Sequence, residues 1–96
     1  MKFYVVWKTE NSAGLLKNKE GKVPTFKTPE KALNAAKADA EYYAKKGGFY
    51  RQDPKKMKIV SYDPSDWTDG RVSMYDIDDV HQPPENWIDY IIVKSN

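Results

Sequence analysis

Apolar and polar residues alternate along several short stretches of this chain, and such a two-residue period is typical of β-strands. Residues 3–7 are aromatic or β-branched and apolar on both faces, which predicts a strand in the interior of a sheet. Residues 15–17 can return as a second strand after a turn. Residues 23–27 are extended, and Pro24 favours a position at a sheet edge. The N-terminal region therefore predicts two paired strands followed by an extended segment.

The C-terminal half contains the same strand pattern again. Residues 57–62 alternate, and residues 71–77 can pair back on them after a turn region that ends in Asp69-Gly70. Residues 87–94 are apolar on both faces and are predicted to form the final strand. The stretch 78–86 contains Pro83-Pro84 and is predicted to be irregular.

Residues 28–46 have the pattern of an amphipathic helix. Thr28 is a good N-cap, Pro29 suits the first helical position, and Gly47-Gly48 ends the run. At about 100° per residue, one side of this helix gathers small and apolar side chains. They are Ala32, Leu33, Ala36, Ala40, Tyr43 and Ala44. Because most of these side chains are small, the helix can approach a flat partner closely, and we expect that partner to be a sheet.

The order β-β-α-β-β-β predicts an α+β fold, in which one helix packs on one face of a mostly antiparallel sheet of about four to five strands. The 96 residues suit a single globular domain over 1–96. The chain has no cysteine, so it can form neither disulfides nor thiolate metal sites. Its N-terminal apolar run is too short for a signal peptide or a membrane span. We therefore expect a soluble, cytoplasmic protein with no membrane partner.

Charge is divided unevenly along the chain. Residues 1–58 contain 14 Lys and Arg against 6 Asp and Glu, a net +8, and residues 59–96 contain 2 against 8, a net −6. The two values sum to the +2 of the whole chain. Such a division predicts either a polarised surface or attraction between the two halves. If the acidic strands lie beside the basic ones, opposite charges meet across the sheet and favour that pairing.

Residues suited to catalysis are scarce. His81 is the single histidine, a lone loop histidine is commonly just solvated, and no Gly-x-Ser-x-Gly sequence marks a nucleophile. A metal-dependent hydrolase would need the acidic cluster of Asp63, Asp66, Asp69, Asp76, Asp78 and Asp79. The spacing of these residues departs from a calcium-binding loop, and aspartate is the ordinary turn residue. We therefore expect neither an enzyme nor a bound metal or other cofactor.

The basic N-terminal half contains aromatic residues among its lysines, a combination found in sheet-based proteins that bind single-stranded nucleic acid. Lysines neutralise phosphates, and exposed rings stack on bases. The candidate contacts are Tyr4, Trp7, Lys8, Lys17, Lys19, Lys22, Phe26 and Lys27. The small number of arginines and the net charge of +2 weigh against this function, and lysines also keep edge strands from aggregating.

A protein partner is the function that the sequence favours. The candidate contacts lie in the acidic, aromatic C-terminal half and are Trp67, Tyr75, Asp78, Asp79 and Trp87. Tyr and Trp are frequent anchors of protein interfaces, and an acidic surface can also occupy a DNA-binding partner by imitating phosphates. We therefore expect a small binding protein with an unidentified protein partner. Weak nucleic-acid binding is the alternative.

Two resemblances bear on this interpretation. Residues 2–8 (KFYVVWK) and 26–32 (FKTPEKA) resemble parts of the hybrid-binding domain of eukaryotic ribonuclease H. The Gly-Ile-Tyr turn and the Trp-x-x-Cys stretch of that family are missing here, so hybrid binding is not expected. Residues 1–6, the Phe26-x-Thr28-x-Glu30-x-Ala32 stretch and the Lys- and Tyr-rich composition are similar to small uncharacterised proteins encoded by phages and prophages of Gram-positive bacteria. That resemblance implies a non-enzymatic accessory role.

Overall fold

Five strands and one helix form the part of the chain that the computed structural model describes, which is residues 1–45, 56–65, 68–77 and 87–95. In chain order the elements are β1 (Lys2–Lys8), β2 (Ala13–Leu15), α1 (Pro29–Lys45), β3 (Met57–Tyr62), β4 (Arg71–Asp76) and β5 (Trp87–Ser95). The predicted element order and the α+β class are confirmed.

The strands form one antiparallel sheet with the order β2-β1-β5-β4-β3. The strand β1 lies in its interior, as its apolar residues on both faces predicted, and β5 lies beside it at the centre of the sheet. The second strand begins two residues earlier than predicted, at Ala13, and Leu16 donates one further backbone hydrogen bond to Val5. The extended segment 23–27 forms only an isolated bridge, in which Phe26 and Phe3 exchange two backbone hydrogen bonds of 2.8 Å.

The helix α1 begins where its capping residues predicted. The Thr28 hydroxyl accepts a hydrogen bond from the Lys31 amide at 3.2 Å, which satisfies one of the free donors of the first turn. The last described helical residue is Lys45, and the predicted end at Lys46 and Gly47-Gly48 lies outside the described residues. The predicted apolar side is confirmed. Its buried members are Ala32, Leu33, Ala36 and Ala40, and Tyr43 and Ala44 pack against them.

The hydrophobic core lies between α1 and one face of the sheet. The strand residues that it buries are Phe3, Val5, Val72, Met74, Ile88, Tyr90 and Ile92. The helix packs tightly beside Gly70, where an added Cβ would lie 3.2 Å from the Leu33 Cδ1 atom. Gly70 also has a φ of 123°, which other residues rarely adopt, so both backbone conformation and packing favour glycine there.

The single helix of the described segments cannot cross a bilayer, because it is neither long nor apolar enough.

Candidate binding site on the outer face of the sheet

Alternation along the strands assigns every second residue to the sheet face opposite α1, which we call the outer face. On β1, Phe3 and Val5 are buried under the helix, so Tyr4 and Val6 lie on the outer face. The pairing register extends this assignment across the sheet. The outer face thus contains Ala13 and Leu15 of β2; Lys2, Tyr4, Val6 and Lys8 of β1; Trp87, Asp89, Ile91, Val93 and Ser95 of β5; Arg71, Ser73 and Tyr75 of β4; and Lys58, Val60 and Tyr62 of β3.

Two ring-bearing rows cross the outer face on β3, β4 and β5. In the first, Tyr75 lies between Trp87 on β5 and Lys58 on β3, as their register partner in both strand pairs. We call Trp87, Tyr75 and Lys58 the aromatic row. In the second, the Arg71 guanidinium lies 4.9 Å from the centre of the Tyr62 ring, within the range of a cation–π contact. Rings and cations therefore stand side by side on this part of the sheet.

A groove of about 290 Å³ lies between these two rows. Its lining residues are Tyr62, Arg71, Ser73, Met74, Tyr75, Trp87 and Asp89. The Ser73 hydroxyl donates a hydrogen bond of 2.6 Å to the Asp89 Oδ1 atom, which holds the carboxylate in place. Because Ser73 and Asp89 are register partners on β4 and β5, this contact is built into the sheet itself.

The outer face is positively charged. Four of its strand residues are cationic, Lys2, Lys8, Lys58 and Arg71, and Asp89 is its one carboxylate, so these described residues sum to +4 − 1 = +3. Asp76 belongs to β4 but lies on the helix side, where it is 6% exposed. The aspartates that make the C-terminal half acidic in sequence therefore contribute little negative charge to the described strands of this face.

The predicted nucleic-acid contacts are only partly brought together. Tyr4 and Lys8 lie on the outer face. Trp7 lies on the helix side, and Phe26 packs against the core. The remaining residues lie in the connection between β2 and α1, and these are Lys17, Lys19, Lys22 and Lys27. The predicted set is thus spread over both faces of the sheet and one edge.

Two of the predicted protein contacts share the outer face with two of the predicted nucleic-acid contacts. Tyr75 and Trp87 are neighbours in the aromatic row, on the same face as Tyr4 and Lys8. Trp67, Asp78 and Asp79 lie outside the described residues. The sequence assigned these two groups to different functions, whereas the structure places their described members on one face of the sheet, with Lys8 opposite Asp89 and Tyr4 farther away, opposite Val93. The neighbours of Tyr75 and Trp87 on this face were missed, although the alternation of residues 57–62 and 71–77 could have found most of them. They are Lys58, Tyr62, Arg71, Ser73 and Asp89.

A second cavity, of about 530 Å³, lies on the helix side beside the edge strand β2. Its lining includes Trp7, Gly14, Lys17, Asp39 and Tyr43. The Trp7 indole covers Gly14 so closely that a Cβ on that glycine would lie 2.6 Å from the ring. A ring lying over a strand glycine compensates for its missing side chain.

Asp39 also lies against the buried Tyr90 side chain and changes its acidity. The Tyr90 hydroxyl donates a hydrogen bond of 2.7 Å to the Asp39 Oδ2 atom. Burial, together with this hydrogen bond and the negative charge of Asp39, raises the pKa of the Tyr90 phenol well above its usual range. Tyr90 therefore stays protonated, and the pair ties α1 to β5. In the sequence, the hydrogen bond between Tyr90 and Asp39 was indicated only by the position of Asp39 at the margin of the apolar side of the helix.

The described residues contain no group of three or more His, Cys, Asp or Glu side chains close enough together to hold a metal ion. Asp66, Asp78, Asp79 and His81 lie outside those residues. The register of β1 and β5 places one pair of opposite charges across the sheet, Lys8 and Asp89, although β5 also contains Lys94 and is not an acidic strand.

Comparisons of the chain with protein-family models, with curated proteins and with solved structures found no match. The resemblance to phage-encoded proteins therefore stays a prediction. What the outer face can bind follows from its own chemistry: stacking surfaces, cations and one positioned carboxylate.

Proposed function

We propose that this protein acts by binding, and that the outer face of its sheet binds single-stranded nucleic acid. The observation that carries this proposal is the aromatic row, in which Trp87, Tyr75 and Lys58 lie in register on three adjacent strands. Exposed rings stack on bases regardless of sequence, and neighbouring cations neutralise the phosphates between them. The row combines both requirements within one line of side chains.

The rings of the outer face are accessible for stacking. Tyr62 is 48% exposed, and Tyr4, Tyr75 and Trp87 are partly exposed. Directly opposed residues on antiparallel strands have Cβ atoms about 4.5–5.5 Å apart, so the side chains of the register partners Tyr75 and Trp87 are neighbours on this face. Stacking of a base on such a ring contributes about 1–3 kcal/mol to binding.

The charge of this face favours an anionic ligand. Its four cations flank the rings, with Lys58 and Arg71 beside the groove and Lys2 and Lys8 on β1. For single strands, the logarithm of the binding constant falls with the logarithm of salt concentration by about 0.7 for each phosphate neutralised. Four contacts therefore predict a slope of about −3.

The test is fluorescence anisotropy with a labelled single-stranded 12-mer of mixed sequence, measured at low and moderate salt. We expect salt-sensitive binding that Tyr75→Ala and Lys58→Glu each weaken. The matched controls are Tyr42→Ala and Lys45→Glu, which change an exposed tyrosine and an exposed lysine of α1. Equal losses from the controls, or no binding at low salt, would refute the proposal.

A protein partner remains the second candidate, and one observation favours it. The middle of the outer face is aliphatic, with Val6 and Ile91 directly opposed on β1 and β5 and Leu15 beyond them, 41% exposed. Apolar residues next to Tyr and Trp are typical of protein interfaces. This candidate would suit the accessory role that the phage-protein resemblance implies.

The variant Ile91→Lys separates the two candidates. A new cation at the centre of the outer face strengthens binding to a phosphate backbone but disrupts an apolar protein contact. We expect tighter binding of the 12-mer. Unchanged or weaker oligonucleotide binding in a folded variant would favour the protein partner.

A further inference from the structure

We propose that the groove between the two rows reads guanine, and that the Asp89 carboxylate is the residue that selects it. This inference rests on the proposed function, because it concerns a base held on the outer face. The groove volume of about 290 Å³ lies at the lower end of the range for small-ligand pockets, which suits one base rather than a larger ligand.

The Asp89 carboxylate is held in place by Ser73 and can still accept further hydrogen bonds. A carboxylate offers about four lone-pair sites, and the hydrogen bond from the Ser73 hydroxyl at 2.6 Å occupies one of them. Ser73 and Asp89 lie on adjacent central strands, so their relative position is set by backbone pairing rather than by a loop. Sites built on strands hold their side chains more firmly than sites built on loops.

Guanine is the base whose Watson–Crick edge matches a carboxylate. Its N1–H and N2 amino groups are adjacent donors, and an ionised carboxylate is a pure acceptor that can take both. Cytosine and adenine present one amino group beside a ring nitrogen that accepts. Thymine presents one N–H between two carbonyl oxygens. Those acceptors would face the negative carboxylate, so each of the three bases fits less well than guanine.

The walls of the groove suit the rest of a nucleotide. Trp87 and Tyr75 provide a ring surface on which the base can stack, at the end of the groove where the aromatic row lies. At the other end, Arg71 lies over Tyr62 and offers a cation to the phosphate. One groove therefore contains a partner for the face of the base, for its edge and for its charge.

The test compares 12-mers that are identical except for one central base, which is guanine, inosine, adenine, cytosine or thymine. Inosine is guanine without its 2-amino group. A two-donor contact to a carboxylate predicts that the guanine oligonucleotide binds about 10-fold more tightly than the thymine one, with inosine between them. Free guanosine 5′-monophosphate as a competitor distinguishes the sources: displacement at micromolar concentration indicates a free-nucleotide site, and displacement only at millimolar concentration indicates a site within a strand.

The variant Asp89→Asn shows whether the carboxylate causes the preference. Its amide oxygen can still accept the hydrogen bond from Ser73, while one acceptor becomes a donor. We expect the ratio of guanine to thymine affinity to fall to about 1–2, whatever happens to overall affinity. The control Asp63→Asn removes an exposed carboxylate that lies outside the groove lining and should keep the ratio. Near-ultraviolet circular dichroism confirms that each variant is folded.

Two failures can be told apart. If all five oligonucleotides bind equally, or if folded Asp89→Asn keeps the preference, the guanine inference is wrong and nucleic-acid binding stands. If none binds at low salt, the proposed function and the inference fail together.

Discussion

On the helix side of the sheet, the strand residues are large, apolar and covered, and Val72, Met74 and Tyr90 have no measurable exposure. The outer face is mixed: aromatic, cationic and hydroxylated side chains surround aliphatic ones such as Val6 and Ile91, and Arg71 and Tyr62 are exposed. Both faces are made by the same strands in the same register. The first face contains the strand residues of the buried core, whereas the side chains of the second lie outside that core.

This difference changes the interpretation of the high aromatic content. Aromatic residues make up 14% of the chain, and a small core can use them for buried area. Phe3 and Tyr90 serve that purpose. The outer-face rings do not belong to the buried core, and three of them, Tyr62, Tyr75 and Trp87, line one groove. We infer that the rings of the two faces serve different roles, stability on one and binding on the other.

The adjacent residues Met74 and Tyr75 test this difference most strongly. We expect Met74→Ala to lower the free energy of unfolding by about 2–5 kcal/mol, because it leaves a cavity at a fully buried position. Tyr75→Ala should cost about 1 kcal/mol or less, since it removes an outer-face ring contact. Urea denaturation measures both. Similar losses for the two variants would show that the outer face is structural too.

The contact between Gly14 and Trp7 gives the next largest effect. An alanine Cβ at position 14 would lie 2.6 Å and 2.9 Å from two atoms of the indole, so the ring must move. We expect Gly14→Ala to cost about 1–3 kcal/mol of unfolding free energy and to change the fluorescence of the protein. If the unfolding free energy and the fluorescence both stayed as in the parent chain, Trp7 would not pack over Gly14 as described.

Tyr90 links stability to pH on the helix side. Its pKa in the folded protein is raised, whereas in the unfolded chain it is about 10. The folded state therefore keeps a proton that the unfolded state loses above pH 10. Stability from this group is fully present below that pH and falls above it, by at most about 1.4 kcal/mol per pH unit.

The variant Tyr90→Phe checks this linkage. At neutral pH we expect its free energy of unfolding to be about 1–2 kcal/mol lower than that of the parent chain, because the Asp39 carboxylate loses a hydrogen bond. Above pH 10 we expect its free energy of unfolding to decline less steeply. The variant Asp39→Asn keeps an oxygen that can accept the hydrogen bond from Tyr90, so it should lose less stability. Urea denaturation at several alkaline pH values gives the slopes, and equal slopes for the parent and Tyr90→Phe would contradict the prediction.

Arg71 and Tyr62 should show the smallest effect on stability. Their cation–π contact of 4.9 Å is exposed, and such contacts contribute about 0.5–1 kcal/mol. A double-mutant cycle with Arg71→Ala and Tyr62→Leu isolates the coupling between the two side chains. A coupling well above 1 kcal/mol would show that this part of the outer face stabilises the fold rather than remaining available for a ligand.

The fold was predictable where one physical rule decided the structure. The cap at Thr28 and the alanine-rich side of residues 28–46 predicted the helix and its packing, and period-two alternation predicted β3 with correct bounds. The second strand was placed two residues late, because its backbone pairing with β1 decides its position and its own pattern does not.

The site was less predictable because it depends on strand order. Sequence order separates Tyr4 from Trp87, and only the pairing of β1 with β5 places them on one face. Trp7 and Tyr4 were grouped as candidate nucleic-acid contacts, yet adjacent strand residues point to opposite faces, and Trp7 packs against the core on the helix side. Alternation was sufficient to separate these two residues. Nothing local to the sequence predicted that Ser73 would hold Asp89.

The most direct test of the outer-face account compares two tryptophans in one experiment. Trp87 lies in the aromatic row, and Trp7 lies on the helix side of the same sheet. We propose an NMR titration of their indole N–H resonances with a mixed-sequence single-stranded 12-mer at two salt concentrations. The account predicts that the Trp87 resonance moves, more at low salt, while that of Trp7 stays in place. Movement of Trp7 alone, or of neither resonance at low salt, would contradict it.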